Sequence, residues 1–325
     1  MIITQTPLRI SFLGGGTDFP EFYREHGGCV LTTAIDKYVY CIVKERFDKK
    51  IYVNYSVKEI VDRAEELKHE LVREAMKKTG VGAGIEISFL SDVPSSGSGL
   101  GSSSSVTVGV LNALYQHMGR SVEARELASE AGGIEVGVLK KPMGYQDQYI
   151  AAFGGVDFIE FHKDGAVSVE PLGLSEEVLA DLENYMMVFF TGRTRQATTI
   201  LAEQKNNIEK RLNVLLEIAQ MARAGRRLLT QGRFRELGKL LDEGWDLKRK
   251  LASKISDAGT DKMYRAVKRA GAIGGKISGA GGGGFLTLFV PTSKREKVRT
   301  VLKGLREMPV GLSRDGSKVI FNIRK

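Results

Sequence analysis

The sequence predicts an α+β protein of two domains, and three observations carry that expectation. A chain of 325 residues is long enough for two cores of ordinary size. Its first sixty residues read as strands, and its second half alternates strands with helices. No internal repeat interrupts this pattern. The boundary is expected around Gly173 to Glu183, giving units of 1–178 and 179–325.

Taken in order, alternating or apolar runs at Ile10 to Leu13, Cys29 to Ile35, Tyr38 to Lys44 and Ile51 to Asn54 read as strands between Gly and Asp signals. Val57 to Lys78 switches to helical spacing, with Ile60, Ala64, Leu67, Leu71 and Ala75 recurring at three or four. A short strand, Ile85 to Leu90, leads into "PSSGSGLGSSSS" at 94 to 105, and Val106 to Met118 continues as a helix. A further helix is expected over Glu123 to Val138, then a hydrophobic segment from Ile150 to Phe161. Past the boundary, Met186 to Phe190 has the apolar run of a buried strand, and Arg195 to Arg227 is a long helical tract. More helix is expected through Lys254, over Asp261 to Ala270 and around Ser293 to Leu305, with closing strands near Val310 and Val319 to Ile323.

Composition narrows the class. With 42% hydrophobic and 27% charged residues and no apolar run near 18, the chain reads as a folded protein without a membrane span. Its first residues lack a signal peptide's features, so a cytoplasmic location is expected. Cys29 and Cys41 are too few for a disulfide framework and lack zinc spacing, which leaves buried free thiols. The net charge of +9 suits anionic partners. Its basic residues alternate with acids along helices such as Lys239 to Lys254 rather than clustering with aromatics, which argues against nucleic acid.

Three glycine-rich loops stand out: "FLGGGTD" at 12 to 18, "PSSGSGLGSSSS" at 94 to 105, and "SGAGGGG" at 278 to 284. Any one of them could be a turn that needs positive φ. "AGAIGGKI" fails as a P-loop because Ala270 and Ile277 replace the first Gly and the hydroxyl residue. Gly279, Gly281 and Gly284 satisfy GxGxxG but precede a strand rather than a helix, so the dinucleotide fingerprint lacks its context. The middle loop does open a helix, whose unpaired N–H groups and positive dipole end suit an anion. Because it joins a strand to a helix inside one domain, phosphate cradling is favoured over a flexible linker. Gly97, Gly99 and Gly101 would let phosphate oxygens approach the backbone, and Ser102 to Ser105 would add hydroxyls for phosphate or Mg²⁺.

Glu135 and Asp147, 12 residues apart, are candidates for a metal ligand and a base. Most such carboxylates are simply solvated. Asp147, however, lies in the weakly charged "PMGYQDQYIAAFGG", a poor setting for a casually exposed acid. One carboxylate on Mg²⁺ and one near the accepting hydroxyl is the minimum set for phosphoryl transfer.

"PLRISFLGGGTDF", "PSSGSGLGSSSS" and "KISGAGGGGF", in that order from residue 7 to 285, resemble the three motifs of the GHMP kinases. That resemblance implies a ribosomal-protein-like N-terminal α/β domain that binds nucleotide, a ferredoxin-like C-terminal α+β domain, and an active site between them. It implies ATP and Mg²⁺, with Pro94, Ser96, Gly97, Ser98, Gly99, Leu100, Gly101, Ser102 and Ser103 at the nucleotide. Ser103 and Glu135 match the metal ligands, Asp147 in "GYQDQ" matches the base, and Arg9 matches the arginine beside the transferred group. Gly15, Gly16, Thr17, Asp18 and Gly281 fall on the substrate side.

Gly14, Gly15 and Gly16 stand where galactokinases carry Gly-Glu-His, so two groups that would grip a hexose are absent. "GGGTD", "QDQYIAAFGG" and "FTGRTRQATTIL" look like the D-glycero-D-manno-heptose 7-phosphate kinases, which phosphorylate the anomeric hydroxyl on the way to nucleotide-activated heptose for surface polysaccharide. Tyr145 departs from them, standing where they often carry a basic residue. Arg193 and Arg195, following a strand, are candidates for the sugar phosphate, with Lys140 and Lys141 a second pair. The partners implied are a small sugar phosphate and ATP, with no nucleic acid and no membrane; a homodimer is compatible with the sequence. A fucose- or uronic-acid-type sugar 1-kinase, a catalytically silent nucleotide-dependent sugar sensor and an RNA-binding protein are the competing readings.

Overall fold

Two β-sheets, one much larger than the other, organise the chain in a computed structural model that describes residues 1–94, 97–194 and 197–323. The chain runs out along β1 (Ile2–Leu13), turns through α1 (Pro20–His26) and returns along β2 (Gly28–Glu45). A hairpin of β3 (Ile51–Asn54) and β4 (Lys58–Val61) is followed by α2 (Glu70–Thr79) and β5 (Ile85–Ser91). Three helices come next, α3 (Ser102–His117), α4 (Ala124–Gly132) and α5 (Gln146–Phe153), and then the hairpin β6 (Val156–Phe161) and β7 (Val167–Pro171). The remainder comprises α6 (Glu176–Tyr185), β8 (Met186–Phe190), α7 (Ala197–Asn206), α8 (Leu212–Thr230), α9 (Phe234–Lys248) and α10 (Ala258–Ala270). It closes with β9 (Gly274–Ile277), β10 (Phe285–Phe289), α11 (Arg295–Val301), β11 (Arg306–Glu307) and β12 (Lys318–Asn322).

β2 is the spine of the larger sheet because its 18 residues are long enough to serve three neighbours. It pairs with β1 on one side, while Val39–Glu45 pairs with β5 and Gly28–Thr33 with β6 on the other. The order is β12-β1-β2-β5-β3-β4, with β6 and β7 extending from β2. The smaller sheet runs β11-β8-β10-β9, all antiparallel. One apolar core lies between the large sheet and α2 to α5, and includes Cys41, Ile87, Val110 and Leu111. The other joins the opposite face of β1 and β2 to α8, α9 and the smaller sheet, where Phe12 meets Phe289 edge to face at 5.8 Å. That second core seats the two sheets against each other and so fixes the cleft described below. Both cysteines are buried free thiols.

Several elements differ from the sequence reading for identifiable reasons. Lys58–Val61 is a strand, not the start of a helix, because it pairs with β3 and leaves Ile60 48% exposed. The helix begins only at Glu70, after Glu59 accepts the N–H groups of Lys68 at 2.6 Å and His69 at 2.9 Å and His69 caps Val72. The tract expected as one helix over Arg195 to Arg227 holds, in its described part, two helices, Ala197–Asn206 and Leu212–Thr230, separated by the 3₁₀ turn Glu209–Arg211. The last strand, β12, does not stay with the second half but pairs with β1 at the edge of the large sheet. A division between 178 and 179 would fall inside α6.

Two stability predictions arise here. A Cβ on Gly274 would lie 1.9 Å from the carbonyl oxygen of Gly238, so β9 rests directly on the backbone of α9. Gly274→Ala is expected to cost about 1–3 kcal/mol by overpacking, read as a fall in Tm of roughly 3–10 °C. Asp157 on β6 is 1% exposed, its Oδ2 has no hydrogen-bond partner among the described residues, and burial pushes its carboxyl up to about 7. A carboxyl raised in the fold contributes fully below its ordinary range and loses that contribution as pH rises through about 7. Asp157→Asn should therefore melt above the wild type at pH 8, with the gain vanishing near pH 4.

Candidate active site

β1 delivers Arg9 to the end of a cleft of about 1040 Å³ lined from both halves of the chain. The guanidinium is buried and takes Asp147 in a two-pronged grip, Nε to Oδ1 at 2.7 Å and Nη2 to Oδ2 at 2.6 Å. Its Nη1 donates to the carbonyl of Gly99 at 2.6 Å, while the Arg9 backbone N–H donates to the carbonyl of Leu100 at 2.9 Å. One residue thus ties the middle glycine loop to the first turn of α5, which carries Asp147. Paired forks of this kind fix orientation as well as charge.

The glycine loop earns its composition by a close approach. Gly99 (φ +74°) and Gly279 (φ +68°) lie backbone against backbone: a Cβ on Gly99 would stand 2.4 Å from the Ser278 carbonyl oxygen, and one on Gly279 would stand 2.5 Å from the Gly99 Cα. The middle and third glycine loops therefore form one wall. α3 starts immediately after Gly101, with no side-chain cap on its first N–H groups. Gly97, Ser98, Gly99, Gly101, Ser102 and Ser103 all line the cleft at this helix end.

Glu135 is fully buried on a π-helical segment, Gly133–Val138, that widens the end of α4. Such widened turns recur at functional sites. Its carboxylate accepts from the hydroxyls of Ser103 and of Ser104 (2.7 Å) and from the Gln148 amide at 2.7 Å. Lys141 Nζ stands 3.8 Å away and also bonds Glu70 at 3.1 Å. Burial pushes the Glu135 carboxyl above its ordinary range, against the Lys141 charge and the three hydrogen bonds.

The first loop folds around Asp18, which is 2% exposed. Its Oδ1 accepts the Gly16 N–H at 2.9 Å, and its Oδ2 accepts the Gln146 side-chain amide at 3.0 Å. Burial raises this carboxyl too, and the nearby Asp147 charge adds to the effect. Opposite lie two buried lysines from the second half. Lys248, the last residue of α9, donates to the carbonyls of Gly279 and, at 3.5 Å, Ile277; Lys276 on β9 donates to the carbonyl of Phe12 at 3.0 Å. Burial and then the Arg9 charge push Lys248 down to about 7, and burial and then Lys248 hold Lys276 well below the usual lysine range.

Of the residues expected at the site, Arg9, Gly15, Gly16, Asp18, Glu135 and Asp147 come together with the 97–103 loop. Others do not reach the cleft. Thr17 is fully buried, its hydroxyl shared between the carbonyls of Gly14 and Cys29, both at 2.9 Å, so it braces the loop. Leu100 is buried in the core and contributes its backbone, and Pro94 is exposed outside the cleft. Gly281 packs on Ile255, leaving Gly279 and Ala280 as the lining. Arg193 points outward, 60% exposed, and pairs with Asp257 at 3.1 Å. Ser96 and Arg195 lie outside the described residues. Lys140 and Lys141 both line the cleft. Lys248, Lys276, Ser11, Gln146 and Gln148 escaped the sequence reading. For Lys248 a signal existed, since it shares a helical face with Leu241 and Trp245.

The chain matches the GHMP kinases N terminal domain over residues 56–155 and the GHMP kinases C terminal domain over residues 226–307. It is 34% identical over 320 residues to a D-glycero-alpha-D-manno-heptose 7-phosphate kinase from Campylobacter jejuni, covering 93% of each chain. It is 26% identical to a bifunctional fucokinase/GDP-fucose pyrophosphorylase from Arabidopsis thaliana, covering 90% of this chain and 30% of that one. Among solved structures, a D-glycero-D-manno-heptose 1-phosphate kinase from Bacteroides thetaiotaomicron superposes with a TM-score of 0.82 at 26% identity over the whole of both chains. On the two matched domains and the near full-length similarity to a kinase at 34% identity, the chain belongs to the GHMP kinase family.

Proposed function

We propose that this enzyme transfers the γ-phosphoryl group of ATP to the anomeric hydroxyl of D-glycero-D-manno-heptose 7-phosphate, giving the 1,7-bisphosphate. The observation that carries the reading is that an uncapped helix end beside glycines, Ser103 bonded to the buried Glu135 behind it, and Asp147 held by Arg9 meet at one cleft. Similarity to the heptose phosphate kinases named above supplies the acceptor class. In this account residues 1–178 hold the nucleotide phosphates, and residues 179–325 close the acceptor side. Both substrates are small molecules of the cytoplasm, and no helix among the described residues is long and apolar enough to cross a membrane.

Ser103 and Glu135 would hold Mg²⁺, offering it one hydroxyl and one carboxylate beside the phosphate loop. No three His, Cys, Asp or Glu side chains cluster as a metal site among the described residues, so the pair depends on the nucleotide's own phosphates. When bound, the ion would supply neutralisation of the phosphate charge. The N–H groups at the start of α3 receive the phosphates. Asp147, kept in one orientation by Arg9, accepts the proton of the attacking hydroxyl as its oxygen bonds the γ-phosphorus. The bond between that phosphorus and the β–γ bridging oxygen breaks, ADP departs, and the proton passes from Asp147 to solvent. Arg9 meanwhile faces the charge on the moving group.

A panel of heptose 7-phosphate, heptose 1-phosphate, free heptose, L-fucose, galactose and glucuronate with ATP and Mg²⁺, scored by ADP release and by ³¹P NMR of the product, tests this reading. Turnover of the 7-phosphate with a new anomeric phosphate signal supports it. Activity on free sugars alone would refute it.

A further inference from the structure

The acceptor end of the cleft holds three buried basic side chains, and among the described residues only one of them is in an ion pair. Arg9 is matched by Asp147. Lys248 and Lys276 are 8% and 7% exposed, both line the cleft, and their hydrogen bonds go to the backbone carbonyls of Gly279, Ile277 and Phe12. Among the described residues neither reaches a carboxylate within ion-pair distance. A buried amine carries its proton readily only beside a counter-ion. Ser11, 7% exposed on the same lining, also has no partner for its hydroxyl among the described residues.

We propose that Lys248 and Lys276, with the Ser11 hydroxyl on the same cleft lining, form an anion subsite that receives the phosphate ester of the acceptor sugar. The proposal rests on the reading of the cleft as that of a sugar phosphate kinase and says where the second phosphate of the reaction lies. Arg193, by contrast, is turned away to Asp257. The charged groups facing the two amines are Arg9 from β1, Asp18 from the following loop and Asp147 from α5. Without a ligand, burial and then the Arg9 charge push Lys248 down, and burial and then the Lys248 charge hold Lys276 below the usual lysine range. A phosphate dianion favours the ammonium forms, so its binding draws protons from solvent and weakens as pH rises above about 7.

The shared chemistry is a phosphate, which could come from the acceptor or from the nucleotide, and the test separates the two. Lys248→Met and Lys276→Met are each expected to lower the ratio of kcat/KM for heptose 7-phosphate over free heptose by about 10–100-fold, the range for a charge-assisted bond. Binding of the non-hydrolysable nucleotide AMP-PNP should stay within about threefold, and Lys248→Arg should recover part of the ratio. Calorimetry of heptose 7-phosphate binding to the wild type at pH 8, in two buffers of different ionisation heat, should record proton uptake; this arm stands even if a methionine variant fails to fold. An unchanged ratio, absent proton uptake, or a loss confined to AMP-PNP affinity would each overturn the subsite. Tight binding of the 7-phosphate without turnover would instead sink the proposed reaction and leave the subsite intact.

Discussion

Asp147→Asn is expected to lower kcat by about 10²–10⁴-fold, the range for removing a positioned proton acceptor. The substitution preserves shape but removes the charge that meets Arg9 at 2.6 and 2.7 Å. One carboxylate oxygen becomes an NH₂ group pointed at a guanidinium, which cannot accept from it. Arg9 still holds the Gly99 carbonyl at 2.6 Å, so the nucleotide loop keeps its main anchor. Nucleotide affinity, measured by calorimetry with AMP-PNP, should therefore change by less than about threefold, and KM for the acceptor only modestly. The loss should fall on kcat, because the interaction matters most as charge develops.

Glu135→Gln is expected to reduce kcat/KM by about 10²–10³-fold, equivalent to the several kcal/mol that a catalytic cation contributes to charge stabilisation. The carboxylate is fully buried and accepts three side-chain hydrogen bonds. An amide of equal size can keep some of those bonds but offers a weaker oxygen to Mg²⁺. It also leaves Lys141, at 3.8 Å, facing a neutral group. The diagnostic readout is the Mg²⁺ dependence at fixed ATP: the half-saturating concentration should rise by at least tenfold while the thermal midpoint moves little. A buried carboxyl pushed upward by desolvation costs the fold something, and removing its charge offsets part of what the lost bonds contributed.

What was legible in the sequence was mainly the glycine loops and their order. Only glycine both adopts the positive φ of Gly99 and Gly279 readily and lacks the Cβ that at Gly99 would stand 2.4 Å from a carbonyl oxygen, so composition there reports geometry directly. Asp147 was legible from its apolar, Gly-flanked surroundings, which are those of a side chain held rather than solvated. Periodicity misled over 57–69, because Ile60, Ala64 and Leu67 sit three or four apart in a strand and a turn as readily as in a helix; from Glu70 on the helix is there, with Leu71 and Ala75 buried. The π-helical widening that turns Glu135 inward leaves no trace in residue spacing. Thr17 lies inside the first motif, yet its hydroxyl is spent on the Gly14 and Cys29 carbonyls, a long-range use that local sequence does not record. Lys248 and Lys276 come from an amphipathic helix and a strand that meet β1 only in three dimensions. A lysine inside the buried run "GGKI" was the visible hint.

A crystal structure of the enzyme with AMP-PNP, Mg²⁺ and heptose 7-phosphate tests the account most directly. It should hold the nucleotide phosphates over residues 97–103, the metal between Ser103 and Glu135, and the anomeric oxygen within hydrogen-bond distance of Asp147. Nucleotide phosphates bound away from that helix end, or an acceptor hydroxyl other than the anomeric one facing Asp147, would contradict it.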